Sequence, residues 1–179
     1  MAVNHTILIA GFGGQGILFA GKVMAYAGLS EGREVSWLPS YGPEMRGGTA
    51  NCSVTISDEP IGSPLIINPK IFAAMNLPSF EKFIDDVQPG GTVVIDSTLI
   101  NAKVGRTDVK TAYVPATKLA DDNGLKGLAN MIILGRLLKE TGFAEYDSVM
   151  AGLKKSVPAR KTELLASIIK AIEIGMKSE

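Results

Sequence analysis

Short apolar runs alternate with segments of helical spacing along the whole chain. Ile7-Leu8-Ile9-Ala10 predicts a buried strand over 6–10, and the segment after it predicts a helix over 15–29. On that helix Ile17, Leu18, Met24 and Ala25 form the apolar face, Ala20 and Gly21 permit close packing, and Gly32 marks the stop. A second strand is expected over 34–38, ended by Pro39 and a loop running from Ser40 to Gly48. Residues 49–56 alternate, with Ala50, Cys52, Val54 and Ile56 on one side and Thr49, Asn51, Ser53 and Thr55 on the other. That period of two predicts a half-buried antiparallel strand. Asp58-Glu59-Pro60 turns the chain toward a short apolar segment, Leu65-Ile66-Ile67. Farther on, the pattern predicts a short helix from Pro69 leading into a strand over 71–75. A helix over 80–87, capped by Leu77-Pro78-Ser79, and strands over 92–96 and 111–115 follow. The remaining helices are expected over 117–122, 128–141, 146–157 and 161–176, with breaks at Asn123-Gly124 and Gly142. Strands interleaved with helices imply one α/β domain over 1–179 with a mostly parallel sheet.

The junction of the first strand and helix carries the first chemical signal. Gly11-Phe12-Gly13-Gly14-Gln15-Gly16 places glycines where a βα turn can cradle a phosphate. Gly11 permits the turn, Gly13 lets backbone N–H groups approach an anion, and Gly16 lets the helix sit close to its strand. Unpaired N–H groups and the helix dipole favour negative charge at that point. Tight packing of a strand against a helix selects the same glycines, so both readings stand. A dinucleotide site further requires an acidic residue at the end of the second strand, about 20 residues on. Leu38, Pro39 and Ser40 occupy that place, and Glu34 lies at the strand's other end. NAD or FAD held in the usual way is therefore not expected.

Composition narrows the setting. The 179 residues are 46% hydrophobic and 20% charged, with 18 basic and 18 acidic side chains and a formal net charge of zero. A balanced charge argues against a nucleic-acid or membrane-surface partner. No apolar run reaches the ~18 residues of a membrane span, and Met1-Ala2-Val3-Asn4-His5 lacks the regions of a signal peptide. The single cysteine excludes an internal disulfide, a cysteine-held iron–sulfur cluster and a zinc knuckle. These features point to a cytoplasmic protein with no metal site of its own.

A second motif is far more specific: Tyr41-Gly42-Pro43-Glu44-Met45-Arg46-Gly47-Gly48-Thr49-Ala50-Asn51-Cys52. With the glycine turn it resembles the gamma subunit of 2-oxoacid:ferredoxin oxidoreductases, also found as a domain of single-chain pyruvate enzymes. The likeness extends through Asp58–Pro64, Gly90–Val94, Val114–Thr117 and Asn130-Met131-Ile132-Ile133-Leu134-Gly135, so it covers nearly the whole chain. It implies a Rossmann-like three-layer fold with some antiparallel edge strands. It also implies a complex that oxidatively decarboxylates a 2-oxoacid with coenzyme A, giving acyl-CoA, carbon dioxide and reduced ferredoxin. The implied partners are alpha and beta subunits, with or without a delta chain, and ferredoxin. Thiamine diphosphate, magnesium and iron–sulfur clusters belong to those partners, and this chain is expected to bind no cofactor firmly. It has no Gly-Asp-Gly followed by a paired Asn, the thiamine-diphosphate motif, so the isolated chain should be inactive; surfaces made for partners stay apolar without them, so it should also pair with itself. The 2-oxoglutarate branch is the first expectation for substrate, with pyruvate, branched-chain and aryl oxoacids open.

In that light Gly11, Gly13, Gly14, Gln15 and Gly16 are candidates for coenzyme A phosphates, or for packing on a neighbouring subunit. Gln15 offers a donor and an acceptor that a purely structural turn would not need. Arg46, flanked by glycines, is the candidate active-site-cleft residue, since guanidinium binds carboxylate or phosphate in two-pronged fashion. A salt bridge to Glu44 or to a partner is its plainer use. Tyr41 is a candidate to stack on an adenine, plug a neighbouring subunit or anchor its loop. Asn130 is a candidate ligand residue, with helix capping its ordinary explanation. Asp96 is expected to cap the turn after its strand, Cys52 to be buried, and His5 to be exposed without a role. Lys154, Lys155, Arg160 and Lys161 read as a solvated helix boundary.

Overall fold

The computed structural model describes residues 2–40 and 49–179. Tyr41, Glu44 and Arg46 lie outside the described residues. The chain runs β1 (Asn4–Phe12), α1 (Ile17–Ser30), β2 (Glu34–Ser40), β3 (Thr49–Ser57), β4 (Ile71–Ala74) and α2 (Leu77–Phe83). It continues through β5 (Thr92–Asp96), β6 (Lys110–Val114), α3 (Ala116–Asp122), α4 (Ala129–Thr141), α5 (Tyr146–Ser156) and α6 (Leu165–Lys177). Short 3₁₀ turns extend α2 over Ile84–Asp86 and precede α6 over Ala159–Leu164.

The six strands are ordered β2-β3-β1-β4-β5-β6. β1, β4, β5 and β6 pair in parallel, whereas β3 is antiparallel to both β1 and β2. One side of the sheet therefore follows the parallel plan and the other is antiparallel. Alternation along β1 feeds two cores. Ile7 and Ile9 join Val54, Ile56, Ala73 and Val94 beneath α1, α4, α5 and α6. Leu8 and Ala10 join Phe72, Val93 and Ile95 beneath α2. Each large apolar side chain buried this way stabilises the fold by about 1.5–3 kcal/mol. Small residues set the helix spacing. A Cβ on Gly135 of α4 would meet the Ile172 carbonyl of α6, and one on Gly175 would meet the Ile132 carbonyl in return.

Several expectations need correction. Strand β2 continues through Pro39 to Ser40, because an edge strand tolerates proline where the missing N–H faces away from the ladder. No helix forms at Pro69; the chain passes directly into β4. Helix α2 starts at Leu77, three residues early, because Asn76 Oδ1 accepts from the Ser79 N–H at 2.9 Å and Pro78 fits the first turn. Strand β3 is buried on both faces from Cys52 to Ser57, so Ser53 and Thr55 do not form a solvent face. His5 lies inside β1 and is half-buried, and burial together with Arg33 and Lys70 holds its pKa below the usual value. Among the described residues no helix is long and apolar enough to cross a membrane.

Candidate functional site

The chain leaves β1 by way of α1 toward β2 and β3, then returns to β4 on the other side of β1. Helices α1 and α2 consequently cover opposite faces, and a crevice opens where β1 and β4 end side by side. Ligands of open α/β sheets gather at such a switch point. Here lies a cavity of about 310 Å³ lined by Gly14, Gln15, Met75, Leu99, Thr117, Ala120, Asp121, Lys126, Gly127 and Ala129. That volume suits part of a larger ligand, at the lower end of the ~300–1,000 Å³ of small-molecule pockets.

The glycines of the turn have separate causes. A Cβ on Gly11 would strike Gln15 Oε1 and lie 2.9 Å from Ile17 Cδ1. Gly16 adopts φ 73° as the residue before α1, and a Cβ there would strike the Asn130 amide. Gly14, at φ 90°, has open space around its missing Cβ and lines the cavity. Gly11 and Gly16 serve packing and Gly14 faces the crevice. Gly13 is exposed beside it.

Gln15 does not present a free donor and acceptor. Its Oε1 accepts from the Phe12 N–H at 2.6 Å and its Nε2 donates to the Met75 carbonyl at 3.0 Å. The side chain thus bolts the turn to the end of β4, a structural use that its position alone did not reveal. Asn130 is not a helix cap either. It sits one residue inside α4, buried, and donates through Nδ2 to the Gly16 carbonyl at 3.0 Å. Its Oδ1 lacks a partner among the described residues, as do Asn76 Nδ2 and Ser79 Oγ near the end of β4. Buried polar atoms are rarely left unpaired, and three stand at this one edge of the sheet.

The helix starts around the crevice are not alike. Asp96, fully buried, accepts from the Thr98 N–H at 3.1 Å and the Thr117 N–H at 3.4 Å. It also accepts from the Thr117 hydroxyl at 2.6 Å, which closes the start of α3 and confirms its capping role. Among the described residues neither α1 nor α4 has a side-chain cap. Their first turns meet where Asn130 joins Gly16, so the positive ends of both helix dipoles lie at that point. Lys126 adds a cation to the lining, with Asp121 opposite in sign. This arrangement can hold an anion. Among the described lining residues none pairs a nucleophile with a base, since Thr117 is committed to Asp96.

Asp121, Lys126 and Gly127 join the cavity from positions more than 100 residues beyond the glycine turn, without a local motif to announce them, and Thr117 joins it from the end of the Val114–Thr117 segment. Cys52 is buried on β3, as expected, and burial pushes its thiol up to about 12. A lone, protonated thiol does not fit an iron–sulfur cluster, and the described residues contain no group of three or more His, Cys, Asp or Glu placed to hold a metal.

A doubly wound α/β domain with an anion-favouring crevice at its switch point defines the general class. Comparison with known proteins narrows it. Residues 6–178 match the family model described as pyruvate ferredoxin/flavodoxin oxidoreductase, and the chain belongs to that family. It is 41% identical over 171 residues to the ketoisovalerate oxidoreductase subunit VorA of Methanothermobacter thermautotrophicus, covering 94% of this chain and 35% of that subunit. This chain therefore spans about a third of the length of that relative. It is 37% identical over 159 residues to the 2-oxoglutarate synthase subunit KorC of Methanocaldococcus jannaschii, covering 87% of this chain and 85% of KorC. The crystal structure of the keto/oxoacid ferredoxin oxidoreductase gamma subunit of Geobacter sulfurreducens superposes with a TM-score of 0.83 at 27% identity. The match covers 97% of this chain and 96% of that one.

Proposed function

We propose that this chain is the gamma subunit of a multi-subunit 2-oxoacid:ferredoxin oxidoreductase and supplies part of its coenzyme A site. The observation that carries this reading is the crevice where Gly14, the starts of α1 and α4 (uncapped among the described residues) and Lys126 converge. Phosphate groups fit backbone N–H groups, helix dipoles and a lysine together. The crevice is too small for all of coenzyme A, so one end of the molecule lies in it and the rest lies against a companion subunit. Arg46, in the specific loop motif, is assigned the anion-binding role in the active-site cleft. Oxidative decarboxylation runs on thiamine diphosphate and iron–sulfur clusters, which this reading assigns to companion subunits. Ferredoxin takes the electrons.

The near-complete overlap with KorC supports the 2-oxoglutarate branch as the first reading. The higher identity to VorA supports a branched-chain oxoacid as the second reading. The test is to purify the native complex through a tag on this chain. The complex is then assayed with 2-oxoglutarate, 2-oxoisovalerate and pyruvate, each with coenzyme A and a viologen dye. Turnover of one oxoacid that depends on coenzyme A is expected. A chain that emerges alone and binds a nucleotide tightly would overturn the assignment in favour of an independent nucleotide-binding oxidoreductase.

A further inference from the structure

A second feature lies away from the crevice, on the outer side of α1. Lys22, Ala25, Tyr26 and Leu29 follow one another along that helix face, and with Val35 and Trp37 of β2 they enclose a groove of about 240 Å³. None of these six residues lines the crevice. The groove is largely apolar. Leu29 is 52% exposed and Trp37 38% exposed. Two cations bracket it: Lys22 Nζ stands 5.9 Å and Lys155 Nζ, from the last turn of α5, 5.7 Å from the centre of the Tyr26 ring. Among the described residues neither lysine forms a salt bridge. β2 is also the edge of the sheet, with no strand beyond it among those described.

We infer that this groove docks a companion protein through a surface that sets carboxylates around an apolar side chain. Aromatic anchors in a pocket with a charged rim are the ordinary make-up of a binding hot spot. Charge decides the occupant. A second copy of this chain, packed face to face about a two-fold axis, would set Lys22 and Lys155 against the same pair. Like charges so placed oppose association, whereas carboxylates on a different protein would pair with both. In the proposed complex that protein is another subunit. The inference rests on that reading only for the identity of the companion.

The experiment uses the native complex, purified through a tag on this chain, with wild type, K22E/K155E and K22R/K155R compared at low and high salt. Both lysines are surface groups, and an unchanged urea midpoint verifies that the variants fold. Retention of companion subunits by K22E/K155E should fall about tenfold or more, as expected for like charges facing across an interface. K22R/K155R should retain them, and the β2 amides should exchange hydrogen more slowly in the complex than in the isolated chain. Unchanged retention by K22E/K155E, or β2 exchange equal in complex and isolated chain, overturns the docking inference and leaves the functional reading intact. Companions that carry no 2-oxoacid activity overturn the functional reading and leave the docking result to stand on its own. A wild-type chain that emerges alone overturns both.

Discussion

Replacing Gly14 and Gly16 by alanine, one at a time, separates the two uses of the glycine turn. Both residues have left-handed backbone, φ 90° and φ 73°, so each alanine carries a strain of about 1–2 kcal/mol. For Gly14 the cost stops there, because nothing lies within 4 Å of the new methyl group. For Gly16 the methyl group meets the Asn130 amide, whose bond to the Gly16 carbonyl must shift or break. Losing that bond leaves the buried amide donor unpaired, which costs about 1–3 kcal/mol. Gly16→Ala should therefore destabilise the chain by at least ~1 kcal/mol more than Gly14→Ala. For a chain of this size that is a gap of roughly 2–4 °C or more in melting temperature. Urea and thermal unfolding of the isolated chain measure it. Equal losses for the two variants, or a larger loss for Gly14→Ala, would refute the division of the turn into a packing side and a ligand side.

Three further outcomes are expected. Cys52 should resist a thiol reagent at pH 8 in the folded chain and react on unfolding, because burial holds its thiol up to about 12. Its folded pKa is raised, so its contribution is full below the unfolded thiol pKa and lost as pH rises toward 12; a urea midpoint that stays flat from pH 8 to pH 11 would contradict this. Gly135→Ala should cost at least about 1–3 kcal/mol by forcing α4 off α6, seen as a lower urea midpoint. Arg46→Ala should leave assembly intact and slow the coenzyme A-dependent half-reaction, and wild-type turnover would remove Arg46 from the mechanism.

The α/β class, the glycine turn and most elements were legible because apolar runs and turn residues are local signals. Val93-Val94-Ile95 after Pro89-Gly90-Gly91 could hardly be anything but a buried strand. Errors arose where tertiary contacts decide. The polar side of β3 looked solvent-facing because its cover comes from elsewhere in the chain. Helix α2 began early because Asn76, three residues before Ser79, forms a cap the apolar pattern does not contain. The site was half legible. The turn was evident, but the roles of its residues were not, since Gln15 finds its partner on Met75 and Asn130 finds its own on Gly16. Those pairs are 60 and 114 positions apart. Lys126 and Thr117 reach the crevice only because β6 returns the chain to the same end of the sheet.

The proposed function requires the crevice of this chain to bind coenzyme A within the complex. Steady-state kinetics of the purified complex carrying Lys126→Ala test this, with coenzyme A and the oxoacid varied separately. Loss of a charged hydrogen bond to phosphate should raise the KM for coenzyme A by about tenfold or more, with the KM for the oxoacid unchanged. An unchanged KM for coenzyme A, or equal rises for both substrates, would contradict it.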